Sequence, residues 1–498
     1  MKRLLSILTA SALAAALTLP AWASETVDTA IAPSGMTMVR DTLYVADTYH
    51  RAIWTVEDGE VSLLAGRTEV TDLSGQPVEG YNDGTFDQAA FSEPWAIVPY
   101  SDGFLVSDTG NHVLRYLNMD KGKVYTAAGT GKAGFRNNTG EKAAFHSPTG
   151  LAVDDEGTVY IADTGNNVIR CMDEDGKVIT YAGGKEGCAL GSLKEVQFSA
   201  PTGLCWADGV LYVADTGNHR IVAIADGEAS LMAGAELTGD AAVEGDYRIG
   251  RAEIACFASP QGVAVGDDGT VYVADTGNGA IRMIQNGFVS TILGMDSTAA
   301  YPASPRGLWV DGDTLYVGDM FSRVLLTTDI AGDKITFDDV AEGSWYYDAV
   351  RFVTTNGLLN GTQAATFTPD ATVSRQQVWM ILARLSGPDP KDMAAARAWV
   401  MANGISDGSA PGGAVTRQQL ASMLYRYAVQ NGYDVSVGEN TNILSYTDFA
   451  DLSEYAIPAM QWACGAGMIS GTGDGSTLSP QGTATRAQLA VMLYRWLA

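Results

Sequence analysis

The chain has 498 residues, enough for more than one domain with its own core. Its formal net charge of −27, with only 31 lysines and arginines, argues against a nucleic acid or an anionic membrane surface as partner. The cysteines lack the spacing of a zinc site and, being odd in number, do not form a complete disulfide framework. They are Cys171, Cys188, Cys205, Cys256 and Cys464, and a pair such as Cys171 with Cys188 stays open.

Residues 1–23 have the pattern of a secretory signal peptide. Lys2 and Arg3 precede an uncharged apolar stretch that ends at Leu19, and Ala21-Trp22-Ala23 then supplies the small-residue cleavage pattern. An uncleaved membrane anchor is the alternative, although the apolar stretch is short for a span. We therefore expect an exported protein with no membrane insertion after signal cleavage.

A short phrase built on Asp-Thr-Gly-Asn recurs six times through residues 33–328. Its aspartates are Asp47, Asp108, Asp163, Asp215, Asp275 and Asp319, the first and last in weaker copies. Each copy lies among short runs rich in Val, Ile and Tyr that Gly and Asp turns separate, as in antiparallel hairpins. Four strands per copy and six copies predict a six-bladed β-propeller over residues 24–332.

The aspartate of the repeat is predicted to be structural. A short carboxylate at a strand end can accept hydrogen bonds from turn N–H groups, and Gly-Asn tolerates positive φ. The sixth copy has only three strands before the pattern changes. We therefore expect residues 24–32 to supply the outer strand of blade six and close the ring, because an open ring would expose unpaired edges.

The segment Asn218-His219-Arg220-Ile221 and its repeated surroundings resemble the NHL repeat family. The resemblance extends over all six copies and implies a six-bladed propeller. It leaves the function open, since the family ranges from protein and RNA binding to lyases.

One face of the propeller is predicted to bind a ligand. The repeated turns and the blade-to-blade connections should emerge there, together with four long inserts at residues 67–90, 130–144, 185–196 and 235–255. The residue between Pro and Gly at the start of each blade should lie at the channel mouth. Ser34, Thr149 and Thr202 are small hydroxyls there, whereas Trp95, Gln261 and Arg306 break the symmetry.

Two turn histidines, His112 and His219, complete the predicted ligand face. Ordinary drift at a half-exposed rim is the alternative explanation of these departures from the repeat. His50 lies near a third turn but out of register with His219, and the turns belong to different blades. We therefore expect no metal site, no cofactor and no catalytic residue.

From residue 335 the pattern becomes helical. Residues 344–353 predict an amphipathic helix that ends at Asn356-Gly357. A Gly-x-x-x-Gly motif follows and recurs twice. The three pairs are Gly357 with Gly361, Gly404 with Gly408, and Gly467 with Gly471.

A second helix opens in each copy with Ser or Thr, then Arg, with Gln three residues after the first, which is a capping box. The arginines are Arg375, Arg417 and Arg486. A cation in the first turn opposes the helix dipole by roughly 0.3–1 kcal/mol. Because a helix N-terminus with a guanidinium suits a carboxylate, we predict anion binding at all three. A solvated or structurally paired arginine is the alternative.

These features resemble three S-layer homology (SLH) domains, at residues 335–387, 388–432 and 445–498. The first copy matches best, through Phe337-Asp338-Asp339-Val340 and Phe367-Thr368-Pro369. The second is degenerate, having lost the aromatic-Asp motif and the Phe-x-Pro.

The resemblance implies an all-α bundle with pseudo-threefold symmetry, whose grooves bind pyruvylated secondary cell-wall polymer. The three arginines and the six motif glycines are the expected contacts, with the groove of the second copy in doubt.

Taken together, the sequence predicts a cell-surface display protein anchored non-covalently to the bacterial wall, more consistent with binding than with catalysis. Its propeller would hold an extracellular protein, peptide or glycan. Two alternatives stay open. The propeller could be an extracellular lyase or lactonase-type enzyme, or the protein could be a structural element of S-layer assembly.

Overall fold

The computed structural model describes residues 24–27, 31–73, 75, 77–235, 245–294, 302–330, 337–363, 365–386, 390, 392–437, 443–473 and 475–497. The predicted signal peptide lies outside these residues. None of the helices in the described ranges combines the length and apolar character that a bilayer crossing requires.

The N-terminal region consists of short strands. The opening strand and blades one and two comprise β1 (Ser24–Val27), β2 (Pro33–Val39), β3 (Thr42–Asp47), β4 (Ala52–Glu57), β5 (Glu60–Ala65), β6 (Gly84–Thr85), β7 (Pro94–Tyr100), β8 (Gly103–Asp108), β9 (Val113–Asn118) and β10 (Lys123–Ala128). Blades three and four comprise β11 (Asn138–Thr139), β12 (Pro148–Val153), β13 (Val159–Asp163), β14 (Val168–Met172), β15 (Lys177–Gly183), β16 (Gly191–Ser192), β17 (Pro201–Ala207), β18 (Val210–Asp215), β19 (Arg220–Ala225) and β20 (Glu228–Ala233). Blades five and six comprise β21 (Gly250–Arg251), β22 (Gly262–Val265), β23 (Val271–Asp275), β24 (Ala280–Gln285), β25 (Phe288–Leu293), β26 (Pro305–Asp311), β27 (Thr314–Asp319) and β28 (Val324–Asp329).

These strands form six antiparallel sheets, one per blade. The first long strands of the blades pack side by side in the order β2, β7, β12, β17, β22 and β26, and β26 contacts β2 again. The predicted fold class, a six-bladed propeller followed by a helical region, is confirmed. Glycine allows the first strands of neighbouring blades to pack closely around the channel. A Cβ at Gly150 would lie 2.0 Å from the Thr202 carbonyl oxygen, and one at Gly262 would lie 1.9 Å from the Arg306 carbonyl oxygen.

The outermost strand of the blade-six sheet is β1, which comes from the N-terminal end of the propeller sequence. β1 pairs antiparallel with β28, so that Ser24 lies opposite Thr328 and Val27 opposite Leu325. Of the predicted closing segment 24–32, residues 28–30 lie outside the described part. This pairing covers the edge that β28 would otherwise expose.

The long inserts add a fifth strand to blades two to five. The two-residue strands β6, β11, β16 and β21 pair with β10, β15, β20 and β25, at the outer edge of each sheet. The prediction had placed the inserts with the binding face. Part of each insert instead covers the periphery, because the fourth strand leaves unpaired backbone groups there.

Apolar side chains fill the spaces between neighbouring blades. Phe91, Phe145, Phe198 and Phe257 lie one or two residues after the four inserts and are each at most 1% exposed. Each belongs to a cluster that joins two adjacent blades. Burying one such ring stabilises the fold by roughly 1.5–3 kcal/mol, so the inserts contribute to blade packing.

Besides three short 3₁₀-helices, the described part of the C-terminal region contains six α-helices, two in each repeat. They are α1 (Tyr347–Thr355), α2 (Arg375–Ser386), α3 (Met393–Ala402), α4 (Arg417–Gln430), α5 (Ile457–Gly465) and α6 (Arg486–Leu497). Val373 N–H donates to the Ala484 carbonyl, Ala484 to Val415, and Val415 to Val373, at 2.9–3.0 Å. This cyclic set of three hydrogen bonds gives the bundle its pseudo-threefold centre.

Blade five packs against the helical bundle. Ile249 and Phe288 of the propeller belong to the same apolar cluster as the helix cores. The rings of Phe288 and Phe352 lie 5.2 Å apart, edge to face. The two regions therefore share one continuous core at this point.

Candidate functional site: the channel mouth and the inter-repeat grooves

The repeated aspartates are fully buried and hold the blades together. Asp108 accepts from the Ser92 N–H at 2.7 Å, and Asp163 accepts from the His146 N–H at 2.7 Å. In blades two to five the carboxylate also pairs with a buried arginine of the third long strand. These pairs are Asp108–Arg115, Asp163–Arg170, Asp215–Arg220 and Asp275–Arg282, at 2.7–2.8 Å. Burial raises the pKa of Asp108 to about 6.

These arginines were missed in the sequence. Arg115, Arg170 and Arg282 each follow the repeated aspartate by seven residues, a spacing that could have revealed them. Their other donors bond to insert carbonyls, as Arg115 does to Ala90 and Asn82. Each arginine thus ties an insert to its blade.

The turn histidines connect neighbouring blades. His112 Nδ1 accepts from the Ser147 N–H at 3.0 Å, and His219 Nδ1 accepts from the Ser259 N–H at 2.8 Å. Asn167 Oδ1 takes the same place in blade three, 2.7 Å from the Ala200 nitrogen. Neither histidine is among the residues that line the channel. Their position favours an inter-blade role over the ligand contact predicted for them.

The channel encloses a lumen of about 420 Å³, lined by the first long strands of all six blades. Trp95, Gln261 and Arg306 line it, as predicted from the Pro-x-Gly positions. The Arg306 guanidinium carbon lies 4.5 Å from the centre of the Trp95 ring. Burial lowers the pKa of Arg306, and the Glu93 carboxylate acts in the opposite direction.

The small hydroxyls at the equivalent positions are already paired. Ser34 bonds to Thr48, Thr149 to Thr164 and Thr202 to Thr216, each at 2.6 Å. The polar side chains of the mouth are therefore of two kinds, the small hydroxyls that bond within their own blade and the unpaired Gln261 and Arg306.

No group of three or more His, Cys, Asp or Glu side chains is placed to hold a metal ion within the described ranges. The five cysteines form no disulfide with one another in the described structure, so the pair Cys171 and Cys188 that the sequence left open is not linked.

The three helix-start arginines lie at the boundaries between helical repeats. Arg486 of the third repeat donates Nε to the Phe367 carbonyl of the first at 2.7 Å, and also bonds to Asn360. Arg417 of the second repeat donates to Leu478 and Ser470 of the third, at 2.8 and 3.2 Å.

Arg375 of the first repeat faces the second repeat, where Nη2 lies 3.2 Å from Asp407 Oδ1. Each groove thus combines an arginine of one repeat with the glycine loop of the next.

The amide groups at these helix starts are occupied. The backbone N–H groups of Arg375, Arg417 and Arg486 donate to the carbonyls of Gly413, Gly482 and Ala371, at 2.9–3.0 Å. The next N–H in each helix donates to Pro411, Pro480 or Pro369. The predicted grip on an anion by helix-start amides is therefore wrong, because the neighbouring repeat already takes them. Any anion contact there falls to the side chains.

The three arginines differ in burial. Arg417 and Arg486 are 6% and 3% exposed. Burial lowers the pKa of both, that of Arg486 to about 10. The Arg375 side chain is 21% exposed, and its Nε has no partner in the described structure. The glycine loop of the degenerate second repeat lies in the groove of Arg375, through Asp407.

The motif glycines shape turns. Gly357, Gly404 and Gly467 follow the first helix of each repeat with φ of 64–70°. A Cβ at Gly361 would lie 2.5 Å from the Phe337 ring, and one at Gly471 would lie 2.1 Å from the Gly475 carbonyl oxygen. Gly408 also has a positive φ, of 69°. These glycines fix the loops that face the arginines.

Two family models match the chain. The S-layer homology domain matches residues 336–378 and 445–490, and the NHL repeat matches residues 145–172, 198–224 and 257–282. The matches give two SLH segments where the sequence predicted three. SLH domains imply anchoring to the cell wall and a location at a bacterial cell surface, whereas the NHL propeller has an unknown binding or enzymatic role.

Curated relatives match only part of the chain. Protein SUPPRESSOR OF QUENCHING 1, chloroplastic, of Arabidopsis thaliana is 28% identical over 286 residues, which cover 54% of this chain and 26% of the relative. NHL repeat-containing protein 2 of Bos taurus is 28% identical over 300 residues, covering 51% and 38%. The chain therefore spans well under half of the length of these relatives.

Among solved structures, virginiamycin B lyase from Staphylococcus aureus covers 62% of this chain and 98% of its own, with a TM-score of 0.40 at 14% identity.

Proposed function

We propose that this protein is displayed on a bacterial cell wall, where its helical repeats bind pyruvylated secondary wall polymer and its propeller binds an extracellular ligand. The observation that carries the anchoring half is the recurrence of one arrangement at three boundaries. At each, an arginine of one repeat lies against the glycine loop of the next.

The groove arginines supply the positive charge that a pyruvyl carboxylate requires. Arg375, Arg417 and Arg486 each retain guanidinium donors beyond those that bond to the neighbouring loop. A charge-assisted, bidentate contact with a carboxylate is among the stronger hydrogen bonds of proteins. The overall charge of −27 repels an anionic polymer, so these local cations would decide where it binds.

The propeller half of the proposal depends on the channel mouth. Trp95, Gln261 and Arg306 depart from the repeat at one rim and line one lumen. Aromatic and unpaired polar groups around a preformed cavity favour ligand binding. An extracellular peptide, protein or glycan end group would enter there.

Sedimentation with purified cell walls tests the anchoring half. We expect the protein to sediment with walls that carry pyruvylated polymer and to stay in solution with walls from which the polymer has been extracted. Arg375→Ala should weaken sedimentation, whereas Arg351→Ala on α1 serves as a control for loss of one positive charge. Equal sedimentation with both wall preparations would contradict polymer anchoring.

Screening the full chain against extracellular glycans and peptides tests the propeller half. A ligand of the mouth should lose affinity on Trp95→Ala while wall sedimentation stays unchanged. A ligand that binds the Trp95→Ala variant as tightly as the parent protein would place binding elsewhere.

A further inference from the structure

The cation at the channel mouth, Arg306, has no anionic partner in contact with it in the described part of the chain. The Arg306 side chain is half-buried, and apart from its contact with Trp95 it makes no hydrogen bond or ion pair among the described residues. By contrast, the buried Arg115 pairs with Asp108 and Asp83 at 2.8 Å. Partial burial of an unpaired guanidinium costs free energy that a bound anion would offset.

Glu93 is the acidic group that acts on Arg306, and it lies exposed to solvent. Its hydration weakens its attraction for Arg306, since exposed charges are strongly screened. The site therefore stays available to a second carboxylate that enters the lumen.

Gln261 offers a complementary acceptor. Its side-chain Oε1 is buried and has no hydrogen-bond partner, while its backbone carbonyl takes the Thr202 hydroxyl at 3.1 Å. Gln261 begins blade five and Arg306 begins blade six, so the two side chains come from adjacent blades. A ligand between them can place an anion on one and a hydroxyl on the other.

Aromatic side chains also line the lumen away from the mouth. Trp206 and Trp309 line it, and their indole N–H groups lack partners within the described structure. Indole rings pack against apolar C–H faces, and their N–H groups donate to oxygen. A sugar ring presents both kinds of surface, whereas an amino-acid end group offers few hydroxyls.

We propose that the channel mouth binds an acidic sugar residue, with Arg306 on the carboxylate and Gln261 on a neighbouring hydroxyl. This assignment rests on the proposed function of the propeller as a ligand-binding domain and names the class of its ligand. The lumen of about 420 Å³ admits one such residue at the end of a glycan.

Ligand-detected NMR titration of the full chain tests this assignment with galacturonate. Galactose is the matched probe without a carboxylate, and N-acetylalanine is a carboxylate without a sugar ring. We expect galacturonate to bind more tightly than either. Arg306→Leu should weaken the binding of galacturonate about tenfold or more, and Arg306→Lys should weaken it less. Gln261→Leu should weaken the binding of both sugars.

Arg40→Leu is the control, because Arg40 is exposed in the turn between β2 and β3, away from the lumen lining. Circular dichroism and wall sedimentation check that each variant is folded. Three results would overturn the assignment: equal affinities for galactose and galacturonate, tighter binding of N-acetylalanine than of galacturonate, or no binding of galacturonate. A ligand of another class that loses affinity on Trp95→Ala would then preserve the broader proposal for the propeller.

Discussion

The guanidinium of Arg375 lies against the carboxylate of Asp407 across the boundary between the first two helical repeats, with Nη2 3.2 Å from Oδ1. At the equivalent boundaries Arg417 and Arg486 bond to backbone carbonyls of Ser470 and Asn360. One groove therefore contains an internal carboxylate in the place where the others present neutral oxygen.

Replacing Asp407 by Asn should strengthen wall binding. The change removes a carboxylate that competes for Arg375 while keeping the shape of the side chain. Because Asp407 is 67% exposed, the pair is well screened and the gain is small, about two- to fivefold in affinity. A sedimentation isotherm with purified walls measures it.

Glu342→Gln is the matched control, since Glu342 is also an exposed carboxylate of the helical region and takes part in none of the groove contacts described above. An equal gain in both variants would mean that lower net negative charge alone causes the effect.

Removing Arg486 should destabilise the helical bundle far more than removing Arg375. Arg486→Ala leaves the Asn360 carbonyl without its donor, leaves the Phe367 carbonyl with the Thr368 hydroxyl alone, and removes a cation–π contact of 4.5 Å with Phe367. Each buried group left unsatisfied costs about 1–3 kcal/mol, so we expect a loss of about 2–4 kcal/mol in the free energy of unfolding. Arg375→Ala should change it by less than about 1 kcal/mol, because that side chain is partly exposed.

Urea unfolding of the two variants checks this difference. Equal losses would show that Arg486 does not act as a structural link between the first and third repeats.

The sequence was sufficient for the propeller because each repeat carries its own local signals. Asp163, Gly165 and Asn166 recur at fixed spacing, and the turn they form depends on local contacts such as the 2.9 Å bond from Asn166 to Asp163. The channel position of Arg306 followed from the same register. Local patterns of this kind can be recognised in the sequence without knowledge of the tertiary structure.

What the sequence could not supply are contacts between segments far apart in the chain. Arg486 bonds to Asn360, 126 residues away, and the amides at the helix starts are taken by another repeat. The packing of Phe288 on Phe352 joins two regions that the repeats describe separately. Neither periodicity nor capping signals report such pairings.

The contact between blade five and the helical bundle should couple the two regions thermodynamically. Phe352 is 8% exposed and packs on Phe288, which is 1% exposed. Phe352→Ala creates a cavity at this junction and should cost about 3–5 kcal/mol. Differential scanning calorimetry should give one transition for the parent protein and two separated transitions for the variant.

Phe321→Ala is the control, because that ring is 78% exposed. Two transitions already present in the parent protein would contradict the coupling.

Protonation of His112 should weaken the propeller at acidic pH. Burial lowers the pKa of His112 below its usual 6.5, His146 adds to this effect, and Asp163 opposes it. The unfolded chain therefore takes up the proton first, so the stabilisation is complete above pH 6.5 and is lost as pH falls through the folded pKa. Protonation would also break the bond from the Ser147 N–H, because that bond requires an unprotonated Nδ1 acceptor.

His112→Asn supplies the matched test, because Asn167 makes the equivalent contact in blade three without titrating. We expect the free energy of unfolding of this variant to fall less steeply between pH 7 and about pH 4 than that of the parent protein, because Asn does not take up a proton in this range. His112→Ala should lose about 1 kcal/mol at neutral pH, since the Ser147 N–H then lacks its acceptor. Parallel pH profiles for the parent protein and His112→Asn would mean that His112 does not carry the acid sensitivity of the fold.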